Sequence, residues 1–279
     1  MSNITIVTAF FDIGRGQWNK TSHGFDTPHY IPRTTDSYFG YFENLAKVKN
    51  DMVIYCAKEH VDRIKEIRNK NVPNANTTVV SFDFNESVKS VKPIIELIQS
   101  RPEYINLIKD PRMPEYWNAD YVLVNLMKTD FVIAAYNANH IKTELVAWLD
   151  FGYVRSEQTL PKSGIWNYNF NPNKMHYFNK RDIDFQRPIF DIIRHNDVYI
   201  MGCHIVGGKT SWHKHQQYNH ESMMTLLRCG LIDDDQTFML MNYRMRPEEF
   251  ELHPIEVKEE EWNEWNVAML KYNSAAPVK

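Results

Sequence analysis

Hydrophobic runs and helical patterns alternate through the first half of the chain. Four short apolar runs, rich in β-branched residues, predict strands, and helical spacing of apolar residues predicts helices between them. The strands are predicted at 4–10, 51–56, 77–82 and 144–149, and the helices at 36–48, 60–68, 92–99 and 119–136. This alternation is typical of a Rossmann-like α/β fold with a mostly parallel central sheet flanked by helices.

The second half of the chain changes character, with shorter strands separated by polar loops. Its predicted elements are strands at 189–193 and 198–206, a helix at 220–229 that stops at Gly230, and a docked amphipathic helix at 259–272. No linker and no repeat interrupts the pattern. We therefore predict a single domain over residues 1–279.

Composition and charge narrow the class of protein. Hydrophobic residues make up 43% of the 279 residues, which is enough for a large core. A formal net charge of −3 and a pI near 6.4 argue against a broadly basic nucleic-acid surface. The three separated cysteines are typical of a reducing compartment, and no apolar run approaches the ~20 residues that span a bilayer. We expect a cytoplasmic protein without an integral membrane segment, and peripheral contact with the inner membrane face stays open.

The apolar run 145–149 ends at an acid that is followed closely by a glycine. Asp150 directly follows the apolar stretch, and Gly152 comes two positions later. In open α/β sheets ligands bind at the carboxyl ends of strands, so Asp150 is a candidate site residue. A buried carboxylate without a partner is costly, so we expect a metal ion, an arginine or another cation beside it.

The end of the first predicted strand offers a second candidate site at the same edge. Thr8, Ala9 and Phe10 are placed to meet a nucleotide base, and Arg15 in the following loop can bind a diphosphate through two parallel hydrogen bonds. A plain strand and turn explains these residues equally well. The chain has neither the glycine-rich fingerprint of a dinucleotide site nor a P-loop.

Three further residues are assigned to the donor side on weaker grounds. Lys128 interrupts an apolar helix, where it either reaches the surface along its aliphatic stem or contacts a donor phosphate. Gly207 and Gly208 end a strand, where they allow either the close approach of a ligand or a tight bend.

The acidic stretch 233–236 is a candidate acceptor site. The carboxylates of Asp234 and Asp235 are suited to bind acceptor hydroxyls or to act as a base, and Gln236 adds a donor and an acceptor for sugar hydroxyls. The alternative is a cluster of acids at the N-terminus of a surface helix, where it complements the helix dipole.

The histidines of 212–220 raise the question of a metal site. His213, His215 and His220 would indicate a zinc-dependent hydrolase if they converged. No cysteine lies nearby, and a solvated polar loop explains the segment better.

Four pieces of the sequence occur in the order of one known family. They are Thr8-Ala9-Phe10-Phe11-Asp12-Ile13-Gly14-Arg15, Ala147-Trp148-Leu149-Asp150-Phe151-Gly152, Gly207-Gly208 and Asp234-Asp235-Gln236. Over most of its length the chain resembles the WlaTC/HtrL-type bacterial proteins, a group of glycosyltransferases with a GT-A-like fold. The resemblance implies a nucleotide-sugar-binding half at 1–153 and an acceptor half at 154–279. It also implies a divalent ion, Mn²⁺ or Mg²⁺, at Asp150 with His253 as a further ligand, although Gly152 replaces the second acid of an Asp-X-Asp motif.

The sequence therefore predicts a glycosyltransferase, a hexosyl- or pentosyltransferase of glycan biosynthesis. We expect a nucleotide-sugar donor, a UDP-sugar in the first place, and a glycan acceptor; a nucleobase or a protein acceptor fits the same residues. A non-catalytic nucleotide- or sugar-binding protein is the alternative. The donor sugar, the stereochemical outcome and the oligomeric state stay open.

Overall fold

The computed structural model describes residues 3–19, 24, 28–255 and 267–274. In this part of the chain, the strands join into one central sheet with helices packed on both faces. None of these helices combines the length and the apolar character needed to cross a bilayer.

Strands from both predicted halves of the chain form the sheet. They are β1 (Ile4–Phe10), β2 (Met52–Cys56), β3 (Thr77–Ser81), β4 (Leu145–Leu149), β5 (Met175–Asn179), β6 (Ile200–Gly208) and β7 (Phe250–Pro254). Their order is β3-β2-β1-β4-β6-β5-β7, and within this sheet only β6 runs antiparallel to its neighbours. The predicted fold class, an α/β fold with a mostly parallel central sheet flanked by helices, is confirmed.

The helices cover the sheet in two layers. They are α1 (Thr35–Leu45), α2 (Val61–Asn71), α3 (Phe84–Val88), α4 (Lys92–Gln99), α5 (Pro102–Leu107), α6 (Ala119–Leu126), α7 (Lys128–Asn137), α8 (Ile189–His195), α9 (Lys209–Arg228), α10 (Asp235–Met245) and α11 (Ala268–Lys271). Successive strand residues point to opposite faces, so Ile6 packs in the same core as Phe42 of α1, whereas Val7 packs in the core that contains Phe131 of α7.

The first four predicted strands are present, and the predicted helix at 119–136 is divided. Met127 separates α6 from α7, so Lys128 becomes the first residue of a new helix. The predicted helix at 220–229 is the last part of the longer α9, which ends before Gly230 in a left-handed conformation with φ of 68°.

One predicted strand is wrong. Residues 189–193 form the start of α8, because Pro188 precedes the helix and Ile192 and Ile193 are buried. Asn196, in a left-handed conformation, ends it. The helix predicted at 259–272 falls largely outside the described residues, although Ala268–Lys271 is helical.

A buried arginine connects α2 to the neighbouring loop and strand. The side chain of Arg68 is fully buried, and its guanidinium donates to the carbonyl oxygens of Ala46, Val48 and Asn50 at 2.9, 2.8 and 3.1 Å. Burial lowers the pKa of Arg68 to about 10, so the group stays charged at neutral pH. One charged side chain thus supplies hydrogen-bond donors to three buried backbone carbonyl groups of the segment 46–50.

We predict that Arg68→Met lowers the free energy of unfolding by about 3 kcal/mol or more, because three buried carbonyls lose their donor. Urea unfolding followed by circular dichroism measures this loss. Lys65→Met, on the exposed side of α2, is the matched control and should change stability by less than ~0.5 kcal/mol. Equal stabilities of the two variants would contradict this role of Arg68.

Candidate functional site

A cleft of about 790 Å³ opens at the carboxyl ends of β1 and β4. Phe10 and Asp150 line its base, and its sides come from residues 28–35, 110–115 and the start of α10. Because β1 and β4 are parallel neighbours, the first-strand loop and Asp150 lie at one edge, as predicted. This edge is the usual place for ligands in open α/β sheets.

Lys128 is the buried cation that meets Asp150. Its Nζ lies 2.9 Å from the carbonyl oxygen of Gly202, 2.9 Å from Oδ2 of Asp235 and 3.2 Å from Oδ1 of Asp150. Burial disfavours the charge, but the carboxylates of Asp150 and Asp235 outweigh this effect and raise the pKa of Lys128. The prediction that Lys128 reaches the surface is wrong. Its three N–H donors face three acceptors, so Lys128 positions these groups and has no donor left for a phosphate.

Asp150 presents one oxygen atom to the cleft. The indole N–H of Trp148 donates to Oδ1 at 2.9 Å, and Lys128 approaches the same oxygen. The side chain is 40% exposed, so Oδ2 remains accessible. The backbone N–H of Asp150 donates to the carbonyl oxygen of Cys203 at 2.9 Å, which fixes the end of β4 against β6. Asp150 is therefore a preorganised hydrogen-bond acceptor.

Gly152 lies beneath two tyrosines of α1. A Cβ at this position would be 3.1 Å from Cδ1 of Tyr38 and 3.4 Å from Cδ2 of Tyr41. The Tyr38 hydroxyl accepts a hydrogen bond from Nη1 of Arg15 at 2.6 Å. Arg155 donates through Nε to the carbonyl oxygen of Gly152 at 2.6 Å and stacks on Tyr41, with its Cζ 4.2 Å from the ring centroid.

Arg15, Arg33 and Arg155, which we call the arginine cluster, line one side of the cleft. Burial, followed by the charges of Arg15 and Arg155, lowers the pKa of Arg33, while Tyr38 opposes the shift. Across residues 3–19, 24, 28–255 and 267–274, no carboxylate forms an ion pair with these three side chains. Three mutually repelling guanidinium groups at one cleft form a site for a multiply charged anion.

The acidic stretch divides between the cleft and the interior. Asp234 and Gln236 line the cleft, whereas Asp235 points to Lys128 and is 5% exposed. Asp234 caps α10, because its Oδ1 accepts from the backbone N–H of Gln236 at 3.0 Å. Burial, then the charges of Asp233, Asp235 and Glu115, raises the pKa of Asp234 well above its usual range. The cap is therefore a buried group on the cleft wall and not part of a solvated surface cluster.

The acids around Asp234 are also difficult to ionise. Burial, followed by the charge of Asp233, raises the pKa of Glu115 to about 8. Burial raises the pKa of Asp233 to about 7, although hydrogen bonds from Thr237 and from the backbone of Asp234 oppose the shift. This wall of the cleft can therefore hold protons near neutral pH.

Two predicted donor-side groups lie elsewhere. Gly207 and Gly208 pair with the start of β4, at the opposite edge of the sheet from Asp150, and pack against Met175 and Pro172. They serve close packing there. Thr8 is fully buried, and Ala9 and Phe10 alone of the three predicted base contacts line the cleft.

The predicted metal pair, Asp150 and His253, does not form. β6 and β5 lie between β4 and β7, which places the two side chains roughly 14 Å apart across the sheet. Mg²⁺ is commonly held by one or two carboxylates together with substrate phosphates. Oδ1 of Asp150 already contacts Trp148 and Lys128, and the ammonium of Lys128 beside this carboxylate repels a second cation. The divalent ion at Asp150 stays a prediction, and no chemistry is assigned to it.

The histidines of α9 do not converge either. His213 and His215 are two positions apart on a helix, so their side chains point to nearly opposite sides. His215 is fully buried, with Nε2 2.6 Å from the Tyr177 hydroxyl and Nδ1 3.0 Å from Oγ1 of Thr129. His220 is exposed. The hydrolase alternative has no site in this segment.

The sequence patterns did not identify several residues of the cleft. Arg33 and Arg155 lie in irregular segments, and Tyr38 and Tyr41 fall within the helix predicted at 36–48. One signal was available, because Arg155 follows Asp150 by five positions and shares its strand end. Arg33, next to Pro32, had no recognisable spacing from the other residues.

The family description "Bacterial protein of unknown function (HtrL_YibB)" matches residues 2–265. The chain belongs to this family. Protein HtrL of Escherichia coli (strain K12) is 37% identical over 257 residues, which cover 90% of this chain and 88% of the relative. The resemblance to HtrL-type proteins inferred from the motifs is confirmed.

Two solved structures are similar to the chain in outline. Mouse xyloside xylosyltransferase 1 in its apo form has a TM-score of 0.44 and 8% identity, over 99% of this chain and 94% of that chain. The inositol-1-phosphate CTP transferase from T. maritima has a TM-score of 0.44 and 10% identity, over 99% and 98%.

We predict that Lys128→Met lowers the free energy of unfolding by about 3–5 kcal/mol, because Asp150 and Asp235 lose the cation between them. In the double variant Lys128→Met/Asp235→Asn, the loss of unfolding free energy should be smaller than the sum of the two single losses by at least about 1 kcal/mol, because the two residues interact directly. Urea unfolding of both single variants and the double variant completes the cycle. Strictly additive losses would show that the ion pair has no energetic importance.

Proposed function

We propose that the chain is a glycosyltransferase, which transfers a sugar from a nucleotide-activated donor to an acceptor hydroxyl. The observation that carries this proposal is the arginine cluster, three cations without carboxylate partners in the described part of the chain, at the edge where β1 and β4 end. The diphosphate of a nucleotide sugar has the charge and the geometry for these groups. The cleft volume of about 790 Å³ also suits a ligand of this size.

The arginine cluster would bind the diphosphate and stabilise the charge that develops on it as the leaving group. The three positive charges meet this need without a metal ion. Ala9 and Phe10 border the same cleft and are the residues we assign to the nucleoside side. A UDP-sugar with a hexosyl or pentosyl group is the donor class to test first.

Asp150 has a different part in this arrangement. A carboxylate repels a diphosphate, so its accessible Oδ2 is better suited to accept a hydrogen bond from a ribose or sugar hydroxyl. Lys128 and Trp148 hold the carboxylate in place before the donor arrives. Such preorganisation lowers the cost of orienting the sugar.

Asp234 and Gln236 are the groups we assign to the acceptor. Both line the cleft, and the carboxylate form of Asp234 can accept a proton from a hydroxyl bound there. In an inverting reaction Asp234 would take the proton from the attacking hydroxyl. Asp235, which the sequence placed beside it, positions Lys128 instead.

A non-catalytic nucleotide- or sugar-binding protein would use the same arginine cluster. The position of Asp234 on the wall of the same cleft favours the enzyme, since transfer needs a base beside the acceptor and binding of a neutral sugar does not. Release of nucleoside diphosphate from a nucleotide sugar, with an added glycan acceptor or with water alone, separates the two functions.

We predict that Arg33→Gln and Arg155→Gln each weaken binding of a nucleoside diphosphate at least tenfold, because each change removes charge-assisted hydrogen bonds worth about 1.5–3 kcal/mol. Thermal unfolding with UDP, in EDTA and in Mn²⁺, measures the affinity, and wild-type binding should persist in EDTA. Arg63→Gln, whose side chain pairs with Asp36 away from the cleft, is the control and should bind as wild type. Unchanged UDP affinity in both cleft variants would refute the arginine site.

We predict that Asp234→Asn lowers the turnover of a nucleotide sugar by about 10²–10⁴-fold, because the general base is lost. Asparagine caps helices as well as aspartate does, so the thermal stability and the donor affinity should stay near those of the wild type. Release of nucleoside diphosphate gives the rate, and calorimetry gives the affinity. A variant with full turnover would assign Asp234 to the helix cap alone.

A further inference from the structure

His176, His253 and Glu251 form a cluster on β5 and β7, away from the cleft. The two strands are parallel, with His176 opposite Glu251 and Phe178 opposite His253. Residues 251 and 253 lie on the same face of β7, because side chains alternate along a strand. One ligand atom from each of the three side chains lies within 4.8 Å of the other two.

The distances between these atoms are near those of a metal site. Nδ1 of His176 lies 2.8 Å from Nε2 of His253 and 3.7 Å from Oε2 of Glu251. Bonds of 2.0–2.1 Å to a tetrahedral zinc ion place its ligand atoms roughly 3.3 Å apart. The two nitrogens would therefore separate by about half an ångström, and the carboxylate would approach His176 by a similar amount and His253 by up to about 1.5 Å.

The hydrogen bonding of His176 selects the tautomer that a metal requires. Its Nε2 lies 2.8 Å from the backbone carbonyl oxygen of Asn171, which can only accept, so Nε2 carries the hydrogen atom. Nδ1 of the neutral ring then carries a lone pair directed at the cluster, where it accepts a hydrogen bond from Nε2 of His253 until a metal ion replaces the proton. A carbonyl group on the far nitrogen is the usual second contact of a metal-bound histidine.

The surroundings favour a fixed site with an open side. The rings of Phe170, Phe178 and Tyr272 pack against His253, with centroid distances of 5.3, 5.1 and 4.8 Å, and hold its plane. Glu251 has a side chain that is 52% exposed, so an ion can enter beside it. A hydrogen bond between two neutral histidines explains the 2.8 Å contact alone, but it gives no role to the third ligand.

We propose that His176, Glu251 and His253 bind one zinc-type divalent ion, with water as the fourth ligand. Two imidazoles and one carboxylate suit zinc better than magnesium or calcium, which prefer oxygen ligands. The ion would connect β7, an edge strand, to β5 and stabilise this end of the sheet. The site is separate from the glycosyltransferase cleft, so its test does not depend on the proposed function.

The test uses the full chain without a histidine tag, freed of metal by dialysis against a chelator. Zinc chloride is titrated in a calorimeter, and thermal unfolding is followed with and without zinc. The wild type should bind one ion per chain with submicromolar affinity and unfold at a higher temperature with zinc. Cobalt substitution should give the visible absorption of a tetrahedral site.

Matched variants locate the ion. Glu251→Gln, at an exposed position that leaves the fold intact, should weaken zinc binding at least tenfold, and His253→Gln should abolish it. His220→Gln removes an exposed histidine elsewhere and should bind zinc as the wild type does. Absence of saturable binding in the wild type, or equal affinity in the wild type and Glu251→Gln, would overturn the proposal.

Discussion

The ammonium group of Lys128 is the contact on which the geometry of the cleft depends. From the first turn of α7 it holds the end of β4 through Asp150, the backbone of β6 through Gly202, and the first residue of α10 through Asp235. The carboxylate of Asp235 occupies the space that a Cβ at Gly202 would take. Four elements far apart in the sequence therefore meet around one charge, and the positions of Asp150 and the α10 N-terminus follow from it.

The cleft separates compensated from uncompensated charge. At its base, the single ammonium group of Lys128 offsets one of the two carboxylate charges of Asp150 and Asp235. At its side, the arginine cluster forms no ion pair with a carboxylate in the part of the chain that the structure describes. A ligand that reaches this side meets three positive charges, although the whole chain has a net charge of −3. Local charge, set by folding, decides the ligand class where the overall charge does not.

The sequence predicted the parts of the fold that depend on local pattern. Continuous β-branched runs identified β1 to β4, and the position of Asp150 followed from the end of one such run. The prediction of a strand at 189–193 is wrong because an apolar run of that length fits a buried strand as well as a short helix. Pro188 before the run and Asn196 after it are the residues that favour the helix.

The arginine cluster could not be predicted in the same way. Its three members come from separate loops, at positions 15, 33 and 155, and only the folded sheet brings them together. Tyr38 and Tyr41 fall within the helix predicted at 36–48, and that pattern does not indicate their contacts with Arg15 and Arg155. The role of Lys128 depends on the helix break at Met127, which the continuous apolar pattern of residues 119–136 does not indicate. Long-range charge arrangements leave no periodic signal in a single sequence.

The absence of a side chain at Gly152 determines how closely α1 packs against the end of β4. The missing side chain leaves room for Tyr38, which accepts a hydrogen bond from Arg15, and for Tyr41, on which Arg155 stacks. An aspartate there would restore an Asp-X-Asp pair, but its carboxylate would compete with those rings for the same space. A larger residue at position 152 would therefore require α1, or the rings of Tyr38 and Tyr41, to move away from this strand end by a few tenths of an ångström.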